Sequence, residues 1–116
     1  MTVEDTRQLD FARLDENANE MKLVVSDHLG WERNELDEQG EHLMTLQDKL
    51  NSYLAFIESG EIYRKLPQAV GRNIVIEVVG KYPLSDEAKK FYRIAGKIIE
   101  AAGFSLRFRH LKATSE

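Results

Sequence analysis

The sequence predicts an α+β fold, a two-layer sandwich with two long helices covering one face of a four-stranded mixed sheet. Three observations carry this. Segments 73–79 and 104–111 are apolar in the short, alternating manner of strands. Segments 41–57 and 85–102 repeat apolar residues every three to four positions, as amphipathic helices do. The elements follow one another as β-β-α-(α)-β-α-β, a pattern that stacks helices on a sheet.

The first two strands read as a hairpin. In 8–14 the residues alternate, with Leu9, Phe11 and Arg13 on one side and Asp10, Ala12 and Leu14 on the other. DENANE at 15–20 supplies Asp and Asn, which bond their own backbone in turns. Alternation resumes over 20–26, with Met21, Leu23 and Val25 pointing one way. Residues 27–40 read as a polar loop. From about 41 the period lengthens. Leu43, Leu46, Leu50, Tyr53, Leu54 and Ile57 form one stripe, and Gln47, Asp48, Lys49, Asn51 and Ser52 form the opposite face. Ser59-Gly60 ends this helix, because Gly accepts the left-handed conformation beyond a last turn.

A short helix is expected over 61–67, stopped by Pro67, which disfavours helical backbone at Leu66. After a turn at 68–72, NIVIEVV at 73–79 is apolar on both faces and belongs mid-sheet. Ser85 suits a helix N-cap, and Asp86 and Glu87 suit the positive end of the dipole. The predicted core stripe of that helix is Ala88, Phe91, Ala95, Ile98 and Ala102, flanked by Ile94 and Ile99. Gly103 stops it, and Phe104, Leu106 and Phe108 point inward from the last strand. Residues 73–111 form a βαβ unit with parallel strands and a right-handed crossover. The direction of the second strand relative to the third stays open.

Length fits one domain spanning 1–116, with an ordered core of about 8–111. A net charge of −4 repels a nucleic-acid backbone, and no face gathers Lys and Arg. With no Cys there is no thiolate ligand, Cys nucleophile or disulfide. The polar N-terminus lacks a signal-type apolar stretch, and Ile74–Val79, the strongest apolar run, is far below membrane-spanning length. The expected location is the cytoplasm.

SDHL…W at 26–31, EHL..LQ.KLN.YL.FIESG at 41–60 and VIEVVGKYP at 75–83 resemble a family of small bacterial proteins, a domain of unknown function. The helix at 85–102 and the AGF after it are also similar, so the resemblance covers about 9–111. It implies a soluble, single-domain bacterial protein. It brings no activity, ligand or catalytic residue.

Two candidate sites follow from the residues. If the last three strands are parallel, their carboxyl ends gather His28, Lys81, Tyr82 and His110 beside Ser85 and the N–H groups of residues 85–88, a rim suited to a small anion. Polar residues collect at strand ends in any case. A metal site built on His28 and His42 has no recognised ligand spacing, and there is no HExxH and no calcium loop. Trp31 is expected to fold over the core edge as an apolar plug. No nucleophile elbow, Walker or dinucleotide glycine pattern is present, so no cofactor is expected. The second candidate is the helix-free sheet face, where Val24, Val75, Glu77, Val79, Arg107 and Arg109 are expected with Ala12, Leu14 and Lys22. Such apolar exposure asks for cover. A homodimer through this face would supply it, and so would the 61–67 segment through Ile62, Tyr63 and Leu66. The sequence therefore favours a non-enzymatic protein-interaction or regulatory module. The alternative is a small-anion or nucleotide-type ligand binder, or an enzyme acting on such a ligand, using the strand-end rim.

Overall fold

The computed structural model describes residues 11–27 and 38–111. In chain order these form strands β1 (Phe11–Asp15) and β2 (Glu20–Asp27), helices α1 (Glu38–Glu58) and α2 (Glu61–Lys65), a 3-10 turn (Pro67–Ala69), strand β3 (Asn73–Gly80), helix α3 (Asp86–Ala101) and strand β4 (Ser105–His110). The strands form one sheet in the order β1-β2-β3-β4. β1 runs antiparallel to β2, whereas β2, β3 and β4 are mutually parallel. The fold is the expected α+β class, and the direction left open by the sequence is parallel.

Local chemistry closes each connection. The Asp15 carboxylate accepts from the Ala18 backbone N–H at 3.1 Å, and Asn19 takes the left-handed conformation at φ 56°. The bond from Ala18 also holds the Asp15 carboxyl below its ordinary pKa. Ser85 caps α3 by accepting from the Ala88 N–H at 3.1 Å. Gly103, at φ 97°, ends that helix, with the Phe104 N–H reaching back to the Ile99 carbonyl at 3.0 Å.

The core is a single seam between the sheet and the helices. Met21, Leu23 and Val25 of β2 and Ile74, Ile76 and Val78 of β3 cluster with Leu46, Leu50, Tyr53 and Ile57 of α1 and with Ala88 and Ile99 of α3. Leu106 and Phe108 of β4 pack against this cluster. Four expectations are corrected here. Antiparallel pairing sets Ala12 opposite Leu23 and Leu14 opposite Met21, so both face the helices rather than the open face. Ile62 is buried in the same cluster with Leu66 against it, so the 61–67 segment closes the helical side and does not cover the open sheet face. Lys49, assigned to the polar face of its helix, is 0 % exposed, with its ammonium 5.2 Å from the Tyr53 ring centroid. Ile98 is 60 % exposed and Ile94 62 %. The inward stripe of α3 is Ala88, Tyr92, Ala95 and Ile99, because the Tyr92 ring turns in against Phe108, with centroids 5.4 Å apart. Ala102 is exposed as well.

Gly80 lies on the core face at the end of β3. A Cβ there would stand 2.6 Å from the Phe108 ring, which Tyr92 holds in place. Gly80→Ala is therefore expected to lose about 1–3 kcal/mol of stability in urea denaturation. Unchanged stability would show that the ring swings away freely.

Candidate functional site

Three places on this fold can be weighed for chemistry. The first is the carboxyl end of the three parallel strands. The Lys81 N–H donates to the Asp27 carbonyl at 2.9 Å, and the Leu111 N–H donates to the Gly80 carbonyl at 2.9 Å, so the ladder continues past the strand ends. His110 places Nε2 3.2 Å from the Lys81 carbonyl, and the Lys81 ammonium lies 5.7 Å from the Tyr82 ring centroid. Lys81, Tyr82 and His110 are thus brought together. His28 and Trp31 lie outside the described residues. The Ser85 hydroxyl is engaged as the cap of α3. Ligand crevices at strand ends form where successive crossovers go to opposite faces of the sheet. Here α1 and α3 pack on the same face, so the crossovers do not change sides at this edge.

Beneath that rim lies a pair the sequence did not single out. His42, in the second turn of α1, places Nε2 2.7 and 2.9 Å from the two oxygens of Asp27, the last residue of β2. With the proton on Nε2 the imidazole donates to the carboxylate. Both side chains are buried. Asp27 shares the inward face of Met21, Leu23 and Val25, and His42 shares the inward stripe of Leu46, Lys49 and Tyr53. That run of 42, 46, 49 and 53 was the available signal. The sequence instead offers His42 as a metal ligand beside His28, with Asp27 and Glu41 able to add oxygens, and Lys49 as a surface charge. The Tyr92 hydroxyl is buried without a hydrogen-bond partner among the described residues. Burial raises its pKa, and the nearby Asp27 charge raises it further. Among the described residues, no three His, Asp or Glu side chains stand together as a metal site.

The second place is the open sheet face. The strand register sets Val24 beside Glu77 and Glu77 beside Arg107, and sets Val79 beside Arg109, so all six predicted interface residues do share one face. The expected exposure is absent at Val75, which is only 1 % exposed, whereas Val24 and Val79 are half-buried. Arg107 reaches from β4 across β3 to bind Glu20 of β2 through both carboxylate oxygens, the longer bond being 3.0 Å. That diagonal crosses β3 at the level of Val75. The hydrogen bond to Glu20 holds the Arg107 pKa above its ordinary value. Glu77, with its side chain 8 % exposed, sits between Arg13 at 3.8 Å and Arg109 at 3.7 Å. Lys22 and Asp15 add a fourth ion pair at 3.5 Å.

The third place is a groove of about 250 Å³ between α1 and α3. Gln47, Leu50, Asn51 and Leu54 line one side; Phe91, Ile94, Ala95, Ile98 and Ile99 line the other. Met44 of α1 is exposed on the same layer. Large apolar side chains concentrated at a groove mark a surface that excludes water when occupied.

A one-sided α+β sandwich with a charge-laced sheet face and an apolar groove between its helices is the class that this geometry defines. The chain belongs to a family of unknown function, DUF6572, whose model matches residues 1–112. No curated protein matches the chain, and no solved structure does. No described helix is long and apolar enough to cross a membrane.

Two variants test the buried polar groups. His42→Ala leaves the Asp27 carboxylate buried without its imidazole, and is expected to cost about 3–5 kcal/mol in urea denaturation. A loss under about 1 kcal/mol would mean that water reaches the pair. For Tyr92 the folded chain keeps the phenolic proton at pH values where the unfolded chain, with its ordinary pKa of 10.0, releases it. The contribution is thus fully present below pH 10.0 and is lost as pH rises beyond it. Tyr92→Phe should be nearly neutral at pH 7 and should lose stability less steeply than wild type between about pH 9 and 11. Parallel alkaline profiles would contradict the buried hydroxyl.

Proposed function

We propose that this domain is a non-enzymatic protein-interaction module, and that the groove between α1 and α3 is the surface it offers. The observation that carries this reading is the exposure of Ile94 and Ile98 beside an apolar floor of Leu50, Leu54, Phe91 and Ile99. Each isoleucine would contribute about 1.5–3 kcal/mol on full burial, and neither gains this inside its own chain. The open sheet face supports a partner less well. Its central Val75 is buried, and its charges are already paired across strands. The Asp27–His42 pair supports structure rather than turnover, because its burial leaves no face for a substrate.

The reading separates residues that hold the fold from residues held for a partner. The double variant Ile94→Ser/Ile98→Ser should stay within about 0.5 kcal/mol of wild type in urea at low protein concentration. A photo-crosslinking side chain at position 98 should form protein adducts in the producing cell, and one at position 89, on the outer face of α3, should not. A stability loss above about 2 kcal/mol would assign the isoleucines to the fold. Equal or absent adducts at the two positions would remove the groove as an interface.

A further inference from the structure

We infer that the occupant of the α1/α3 groove is a second copy of this chain, paired about a two-fold axis that runs along the groove. The inference rests on the interaction reading above and names its partner. The argument comes from the charges that border the groove.

On α1, every exposed ionisable side chain described is acidic: Glu41, Asp48 and Glu58. Its two basic side chains, His42 and Lys49, are buried. On α3, the exposed cations Lys89, Lys90, Arg93 and Lys97 occupy the middle of the helix, and the acids Asp86, Glu87 and Glu100 lie in its end turns. Helical geometry puts Lys90 and Lys97 just outside Ile94, on the α3 rim. It puts Met44 and Asp48 just outside Gln47 and Asn51, on the α1 rim, with Glu58 at its far end. Asp48, Glu58, Lys90 and Lys97 form no ion pair with any described residue. The α1 side of the groove is therefore acidic, the α3 side is basic along its middle with Glu87 at its first turn, and the floor is apolar.

A two-fold interface uses the same patch twice, so the patch must complement itself. An axis perpendicular to the helices within the interface would set α1 on α1 and α3 on α3, acid on acid and base on base. An axis along the groove sets α3 of each copy on α1 of the other. β2, β3 and β4 are parallel, so α1 and α3 run in the same direction, and this axis keeps their levels matched. Lys90 of one copy then meets Asp48 of its partner, and Lys97 extends toward Glu58. Ile94 and Ile98 enter the groove opposite the Leu50 and Leu54 side. The exposed charges set register and partner choice, and the buried isoleucines hold the complex. A uniformly acidic or basic partner helix would meet repulsion from one rim.

Sedimentation of the full chain tests this. Wild type is expected as a dimer at high micromolar concentration. Ile98→Glu should raise the dissociation constant by roughly thirtyfold or more, with an unchanged circular-dichroism spectrum. Lys90→Glu/Lys97→Glu and Asp48→Lys/Glu58→Lys should each be monomeric alone and should form a heterodimer when mixed, because each supplies the rims the other lacks. Wild type that stays monomeric at high micromolar concentration overturns self-pairing, and so does a dimer that survives Ile98→Glu or a mixture that fails to associate. The crosslink from position 98 separates the two levels. An adduct of twice the chain mass supports the self-pair. An adduct of any other mass rejects the self-pair and keeps the groove as an interface, and no adduct rejects both.

Discussion

The constraint on which this structure depends is that both parallel crossovers, β2 to β3 through α1 and β3 to β4 through α3, step in the same direction across the sheet. A right-handed crossover that always advances the same way puts every helix on the same face. Three consequences follow from that one fact. The two helices lie side by side and leave a groove between them. The crossovers do not change sides at the strand ends, the arrangement that opens a ligand crevice in other parallel sheets. Among the described residues the other face of the sheet has no helix to cover it, and its side chains pair with one another.

That second face shows how a sheet closes without a second layer. Val75, on a central strand, would be an aggregation hazard if bare. Val75 is nonetheless buried, and the Glu20–Arg107 bridge crosses the sheet face at its level. Glu77 carries a different cost. One of its oxygens is buried without a hydrogen bond, and the flanking arginines stand at ion-pair rather than hydrogen-bond distance. Such a group is held by charge and not by geometry, which fits a surface that remains partly wet. On the helical side the Asp27–His42 pair has short bonds and full burial. It fixes the start of α1 to the end of β2, where apolar packing alone would let the helix slide.

Much of this architecture was legible in the sequence. Alternation identified β2, β3 and β4, and the three-to-four-residue recurrence identified α1 and α3. Ser85 and Gly103 marked the ends of α3 through cap chemistry that needs no tertiary context. The faces of individual residues were less legible. Phe91 and Ile98 outranked Tyr92 by hydropathy, yet the aromatic ring of Tyr92 fits against Phe108 and takes the inward position, turning Ile98 to the surface. Ala12 and Leu14 were placed by the weak alternation of β1, and only pairing with Leu23 and Met21 determines their side. Lys49 and His42 read as surface residues because charge suggests water. Their positions on the buried stripe outweighed that, with Asp27 and Tyr53 providing the compensating contacts. Periodicity names the element, but partners across space decide which face of it is buried.

The groove makes the account testable as a whole, because it is the apolar surface that the one-sided topology leaves without cover. Methyl NMR followed over a dilution series addresses it most directly. The account predicts that the methyl resonances of Ile94, Ile98 and Leu54 move with concentration while those of Leu23, Val24 and Val79 stay fixed. Shifts confined to Val24 and Val79 would transfer the interface to the open sheet face and contradict it.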